Sequence, residues 1–298
     1  MNLYFINFKL IYKGGDFMIG FVTLNFNESK KCVNLANQCF DSKIFDYIVV
    51  VDNCSDKEEY DYLIKNLNPN IVLLQSGTNR GFACGNNIGL KYLASIPNVD
   101  QILIANPDVI FDCNIVKKFS SIINNDRTIG ALSCLRKEFD GSEIDSFWNE
   151  KSIKEMYRRF LLIRNKLFPL KKVTEKKRND LFFVDCVRGS FIYFRVSALQ
   201  SVDFFDENTF LYYEEDILFN KLKQKGYKVG VLNNYYYTHN HPYKKNKKTN
   251  ISILKNTYKS MYYYLCKYRN IGRFDKIRFY ILSSITILEF RILNLFRK

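Results

Sequence analysis

Two clusters in this 298-residue chain have the residue types and spacing to do chemistry. The first closes the apolar run Ile102-Leu103-Ile104-Ala105 with Asn106-Pro107-Asp108. Four apolar residues without alternation predict a strand covered on both faces. Proline has no N–H for a ladder and holds its predecessor extended, so the strand stops there. Asp108 then falls at the carboxyl end of a central strand, where open α/β sheets bind ligands. A carboxylate in that place suits a divalent cation, or an Asx turn that opens the next helix. The second cluster is Glu214-Glu215-Asp216, after the aromatic run Phe210–Tyr213 and before a helical pattern over Ile217–Gly226. Acids in a first helical turn favour the helix dipole. One carboxylate within reach of a hydroxyl also serves as a general base. The chain's two histidines, His239 and His241, bracket Asn240.

Elements that position these residues follow from periodicity. Strands are predicted at Ile19–Leu24, Tyr47–Val51, Ile71–Leu74 and Ile102–Ala105, with helical patterns between them. Polar residues close three of these strands, at Asn25, Asp52 and Asp108. Asp56 and Glu59 have the spacing of a capping box for a helix through Leu67. A glycine-rich turn is expected over Asn79–Asn87, and a helix carrying Ile115, Val116, Phe119, Ile122 and Ile123 follows Asp108. Strand–helix alternation of this kind implies right-handed βαβ units and a parallel sheet. Regular structure resumes at Phe182–Val187, Phe191–Phe194 and Tyr227–Leu232, after a basic segment over 151–179 with 11 Lys/Arg and 2 acids.

Composition narrows the class. The length supports one large α/β domain or two small ones, with ample core. Eight cysteines lie scattered without a C-x-x-C pair, which argues for reduced, buried thiols in a cytoplasm. Met1–Leu10 is apolar, but Ile11–Asp16 offers no small-residue cleavage site for a secretory signal. Met18 precedes the first strand, so residues 1–17 are read as an N-terminal extension, with Met1 and Met18 both open as the native start. The net charge of +15 is uneven: residues 1–150 hold 14 Lys/Arg against 18 Asp/Glu, and residues 242–298 hold 14 against 2. The expected division is 18–243 for the α/β domain and 244–298 for a basic, aromatic helical tail. The apolar run Phe279–Leu288 is too short to span a bilayer. It fits an interfacial amphipathic helix or a helix packed on the core.

Taken in order, Thr23-Leu24-Asn25, Val51-Asp52-Asn53-x-Ser55, Asn79-x-Gly81-Phe82-Ala83-x-Gly85-Asn86-Asn87, Asn106-Pro107-Asp108, Gly189-Ser190 and Tyr213-Glu214-Glu215 resemble glycosyltransferase family 2, in its rhamnosyltransferase-like branch. The resemblance covers about Ile19 to Tyr243. It implies a GT-A fold, with a mostly parallel central sheet flanked by helices, and inverting transfer from a nucleoside-diphosphate sugar. By position it puts Thr23 and Asn25 at the nucleoside pocket, Asp52 on the pyrimidine edge, and Asn79, Gly81 and Asn86 along ribose and diphosphate. Asn106, Gly189 and Ser190 join that donor site. Asp108 stands at the family's metal-binding aspartate, and His239, or else His241, at its late histidine, with Mg²⁺ or Mn²⁺ as the ion. Asn-Pro-Asp replaces Asp-x-Asp, so one carboxylate remains and the diphosphate itself would supply most of the coordination. Glu215 falls at the base position. The family's E-[DE]-x-D-L reads Glu214-Glu215-Asp216-Ile217-Leu218 here, with Lys221 where an arginine is usual, so Asp216 stays open as the base.

Other classes fit less well. A dinucleotide-dependent oxidoreductase carries G-x-G-x-x-G after its first strand, where this chain has Asn25-Phe26-Asn27. The basic residues avoid the strand ends and form no nucleic-acid-binding module, so no nucleic-acid partner is expected. The alternative to transfer is a binding-only or nucleic-acid-associated basic α/β protein without catalysis. The expected partners are a nucleotide-sugar donor, a saccharide or lipid-linked acceptor of bacterial surface polysaccharide synthesis, and an anionic membrane touched by the tail. The expected location is cytoplasmic, peripheral on the inner face of the cell membrane.

Overall fold

The computed structural model describes residues 17–158, 160, 179–239 and 250–296. The N-terminal extension up to residue 16, most of the basic segment and His241 lie outside the described residues.

The first half is a run of βα units. Strand β1 (Met18–Asn25) leads to α1 (Ser29–Asp41), β2 (Tyr47–Asp52) to α2 (Lys57–Asn66), and β3 (Val72–Gln75) to α3 (Phe82–Ala94). Then come β4 (Val99–Ala105), the short β5 (Val109–Ile110), α4 (Ile115–Asn125) and β6 (Ile129–Lys137). Short pieces follow: β7 (Glu143–Ile144), β8 (Phe147–Trp148), α5 (Ile153–Arg158), β9 (Leu181–Val184) and β10 (Cys186–Val187). The chain continues through β11 (Phe191–Arg195), α6 (Val196–Ser201), α7 (Glu214–Gln224) and β12 (Lys228–His239). Helices α8 (Ile251–Lys267) and α9 (Arg273–Leu295) end the described chain.

The main sheet runs β3-β2-β1-β4-β11-β6-β12-β5. Its first four strands are parallel, and β11 enters antiparallel between β4 and β6. β4 is buried from Gln101 to Ala105, as an apolar strand covered on both faces must be. Alternation along it divides the core. Ile102 and Ile104 pack with Leu90 and Leu93 of α3, and Leu103 and Ala105 pack with α1 and α4 on the other face. Each such large side chain contributes roughly 1.5–3 kcal/mol on burial.

Several sequence expectations change here. The glycine-rich turn is half helix, since α3 begins at Phe82. A Cβ at Gly85 would lie 2.5 Å from Leu24, and one at Gly89 would lie 2.6 Å from Val22. Those glycines let α3 sit close on β1. The capping box does not form. Asp56 accepts from the Asn27 side chain, and Glu59 accepts the backbone N–H of Ser29, capping α1 instead of its own helix. The expected strand 182–187 breaks at Asp185 into β9, which joins β12, and β10, which pairs with β8. β12 runs on past Leu232: an irregularity between Leu232 and Tyr236 carries it beside β5, where His239 pairs with Val109.

The tail helices share a core with the domain. Met261, Tyr264 and Leu265 of α8 and Phe279 of α9 pack with Ile217 of α7 and Met156 and Tyr157 of α5. Asp206 fastens the join, accepting from Tyr263 Oη at 2.8 Å, Lys267 Nζ at 3.0 Å and the Tyr268 hydroxyl.

Candidate active site

The ends of β1 and β2 are tied to each other. Asn25 Nδ2 donates to Asp52 Oδ1 at 3.0 Å, to Ser55 Oγ at 3.0 Å and to Ser29 Oγ at 3.2 Å. Asp52 Oδ2 accepts from Ser55 N at 3.2 Å, with Gln75 Nε2 at 3.5 Å. Thr23, Asn25 and Asp52 have no exposed surface. This differs from the sequence expectation of pocket walls. A strand-end amide and carboxylate on adjacent strands satisfy each other, and buried polar groups must do so. Reading a base edge from Asp52 requires an incoming N–H to replace the long contact from Gln75.

Asn53, part of the Val51-Asp52-Asn53-x-Ser55 motif but given no role by the sequence, links this network to the next loop. Its Nδ2 donates to Asn79 Oδ1 at 3.0 Å, and Asn79 Oδ1 also accepts from Gly81 N. Gly81 has φ +93°, and a Cβ there would lie 1.9 Å from the Phe210 carbonyl oxygen. The glycine is required by the loop that leads into α7. Asn86 turns back to its own helix, donating to the Phe82 carbonyl. Asn87 holds the Phe205 backbone from both sides.

At the end of β4, Asn106 N donates to Ser190 O at 3.0 Å, joining the Asn-Pro-Asp turn to the Gly189-Ser190 turn before β11. Ser190 Oγ and Tyr237 Oη lie 3.0 Å apart. The extension of β12 brings His239 Nε2 to 2.9 Å from Asp108 Oδ1, and both residues are buried. Carboxylate and imidazole are a donor pair for a divalent cation. Among the described residues no three His, Cys, Asp or Glu side chains converge into a complete metal site. Two protein donors leave the rest of an ion's coordination to other ligands.

Tyr212 and Tyr213 enter α7 at φ 67° and 68°, in the left-handed region that bulky residues rarely occupy. Such strain concentrates where a site fixes its geometry. It sends the three carboxylates in different directions. Glu214 is buried, and its Oε2 has no hydrogen-bond partner among the described residues. Burial, with Glu215 beside it, pushes its carboxyl well above the ordinary range. Asp216 Oδ1 accepts from Trp148 Nε1 at 3.0 Å. Glu215 Oε1 accepts from Gly189 N at 2.9 Å. Burial pushes the Glu215 carboxyl up to about 7, with the Gly189 N–H and the Arg188 charge opposing.

One cleft of about 600 Å³ takes in Asn106, Gly189, Ser190, Glu214, Glu215, Asp216 and His239. Trp148, Arg188, Tyr213 and Tyr264 also line it and were not foreseen. Trp148 is the chain's single tryptophan, the one signal the sequence offered. Thr23, Asn25, Asp52 and Gly81 stay outside this cleft, and Asn79 lines a neighbouring one of about 400 Å³.

Solved structures share this architecture. A mannosyltransferase from Pyrobaculum calidifontis, in complex with GDP-Man and Mn²⁺, aligns at TM-score 0.54 and 13% identity over 86% of this chain and 65% of that one. GalNAc-T7 with UDP, GalNAc and Mn²⁺ aligns at TM-score 0.59 and 15% identity, over 85% and 51%. S. aureus TarS in complex with UDP-GlcNAc aligns at 0.54 and 16%, over 83% and 65%. In sequence, the chain is 24% identical over 196 residues to the low-salt glycan biosynthesis hexosyltransferase Agl10 of Haloferax volcanii, covering 65% of this chain and 59% of that protein. No family model matches. The chain has the GT-A fold, a mixed sheet with a parallel half flanked by helices.

Proposed function

We propose that this protein is an inverting glycosyltransferase, taking a sugar from dTDP-rhamnose or a UDP-sugar to a saccharide or lipid-linked acceptor of bacterial surface polysaccharide. The observation that carries the reading is Glu215, held by the Gly189 N–H in the same cleft as His239 of the Asp108–His239 pair. The GT-A fold and the resemblance to the rhamnosyltransferase-like branch of glycosyltransferase family 2 support it. The complexes of the similar structures with GDP-Man, UDP or UDP-GlcNAc agree with a nucleotide-sugar donor.

In this mechanism Glu215 takes the proton of the acceptor hydroxyl as its oxygen attacks the anomeric carbon on the face opposite the leaving nucleotide. A sugar hydroxyl is a poor nucleophile, so a base within hydrogen-bond reach is needed. Inverting transfer forms no covalent intermediate, so no second carboxylate is required. Trp148 holds Asp216 aside, and Glu214 stays enclosed beneath. Asp108 and His239 would hold Mg²⁺ or Mn²⁺ with the diphosphate, and the ion would stabilise the charge that develops there. Asn106, Ser190 and Gly189 line the cleft beside Glu215 and His239. The buried Asn25–Asp52 network would back the nucleoside end from beneath, with the Asn79–Gly81 loop bordering it.

A thermal-shift screen of nucleotide sugars, each with and without Mn²⁺, tests the donor. A ligand that binds only the native state raises the midpoint. UDP- or dTDP-sugars should raise it more with Mn²⁺ present, and GDP-sugars should raise it less. Absence of a shift from every nucleotide sugar overturns the reading. Binding without donor hydrolysis or transfer favours the binding-only alternative. As proposed, the reaction runs in the cytoplasm at the inner face of the cell membrane.

A further inference from the structure

Helix α9 presents its greasy side outward. Phe274, Ile277, Ile281, Ile285, Leu288 and Ile292 recur at spacings of three and four, which places them on one face. Their exposures run from 41% to 90%. The face turned to the protein carries Phe279, Ser283 and Thr286, all buried. The two hydroxyls are satisfied within the helix, Ser283 on the Tyr280 carbonyl and Thr286 on the Leu282 carbonyl. A surface helix ordinarily does the reverse, with its apolar stripe on the core. From Phe274 to Ile292, at 1.5 Å per residue, the stripe extends along about 27 Å of the helix. An apolar patch of that extent marks an interaction surface.

We infer that α9 is a membrane-contact helix, which lies flat in the headgroup region of an anionic lipid surface. Charge decides the occupant. Arg273, Lys276, Arg278 and Arg291 belong to the same helix, against Asp275 and Glu289. Pairing of two copies through this stripe would bring like charges together, whereas an anionic leaflet neutralises them. Among the described residues no helix is long and apolar enough to cross a membrane. A one-sided stripe with basic flanks lies on a bilayer, with its apolar face roughly 5–10 Å deep.

The packing connects this surface to the cleft. Tyr262 of α8 meets Phe279 of α9 at 5.3 Å between ring centroids, and Tyr258 meets it at 6.4 Å. Thr257 and Tyr264 of the same α8 line the cleft, and Tyr264 packs on Tyr213 at 5.7 Å. Helix α8 thus faces the lipid-contact helix on one side and the cleft on another. A lipid-linked acceptor is the substrate class this arrangement suits. That last step rests on the transferase reading; the membrane contact does not.

The test is co-sedimentation of the full chain with phosphatidylcholine vesicles, with and without phosphatidylglycerol, at low and high salt. No nucleotide sugar is present. The full chain should bind the phosphatidylglycerol vesicles at least ~10-fold more tightly than phosphatidylcholine alone, and salt should weaken the binding. The double variant Ile281→Glu with Leu288→Glu should lose at least ~30-fold in vesicle affinity. Its thermal midpoint and its turnover of a soluble acceptor should stay unchanged. Ile64→Glu, equally exposed on α2, should bind as the parent does. Charge reversal at Arg273 and Lys276 should remove most of the phosphatidylglycerol preference. Undiminished binding by the double variant overturns the inference. So does a parent that forms a dimer in solution, binds no vesicle, and becomes monomeric in the double variant. If the vesicle results hold and no transfer activity is found, the surface stands and the acceptor reading falls.

Discussion

The backbone N–H of Gly189 donates to Glu215 Oε1 at 2.9 Å, across 26 residues of sequence. A Cβ at position 189 would lie 2.9 Å from that oxygen and 3.0 Å from the Phe82 ring. The glycine is what allows the contact, and the contact aims the carboxylate.

Glu215→Gln should lower kcat for transfer by ~10²–10⁴, the usual share of a general base. Donor affinity should change little, because the base meets the acceptor hydroxyl. Glu214→Gln and Asp216→Asn should cost far less. Steady-state kinetics on the three amides checks this. A dead Asp216→Asn beside an active Glu215→Gln would move the base by one residue.

Gly189→Ala should push the Glu215 carboxylate off its present line. The expected loss is roughly tenfold or more in kcat, with the donor KM nearly unchanged, since small displacements of a catalytic group are costly. Kinetics of Gly189→Ala and of the double variant with Glu215→Gln resolve the cause. If the glycine acts through Glu215, the second loss adds little to the first.

Burial pushes the Glu215 carboxyl up to about 7, from 4.5 for a free glutamate. Because the base form is the active one, kcat/KM should rise about tenfold per pH unit below 7 and level off above it. For stability the sign is opposite. A raised carboxyl value contributes stability below 4.5 and loses it as pH rises through 7. Glu215→Gln should therefore raise Tm relative to the parent at about pH 8, and the gain should vanish near pH 4. Calorimetry across that range decides it.

Asp108→Ala should nearly abolish transfer at saturating Mg²⁺ or Mn²⁺ while the fold persists. His239→Ala should raise the metal concentration needed for half-maximal activity by ~10–100-fold, as loss of a ligating or supporting imidazole does. A metal titration of activity, with circular dichroism as the fold control, tests both. Parent-like turnover of Asp108→Ala rejects the metal assignment.

Burial alone would raise the Asp206 carboxyl, but hydrogen bonds from Tyr268, Asn208 and Lys267 outweigh it and hold the value well below the ordinary range. A depressed value contributes stability above the unfolded value of 3.8, which is lost as pH falls through the folded one. Asp206→Ala leaves the Tyr263 and Tyr268 hydroxyls without this acceptor and Lys267 with only the Tyr263 hydroxyl among the described residues, and should cost about 2–4 kcal/mol. Chemical denaturation at pH 7 should show that loss. A variant as stable as the parent would mean that α8 is held by its apolar contacts alone.

The sequence by itself determined the elements whose signal is local. The apolar runs at Ile19–Leu24, Tyr47–Val51 and Ile102–Ala105 became parallel β1, β2 and β4, and the spacing of Ile115–Ile123 became α4. A strand's burial is written in its own residues, and so is a helix's face. What the sequence left open depended on partners far along the chain. Glu214, Glu215 and Asp216 all line the cleft, and what holds the last two came from far along the chain: Gly189 takes Glu215 and Trp148 takes Asp216. Asp108 met His239, 131 residues away, because β12 passes an irregularity and runs on beside β5. Asn25 and Asp52 promised open polar ends and instead satisfied each other across two strands. The outward stripe of α9 has the same pattern as an inward one, and only packing against α8 fixed which side faces solvent. Periodicity records that a helix has two faces; tertiary contacts choose between them, because burial free energy depends on what is already there to cover.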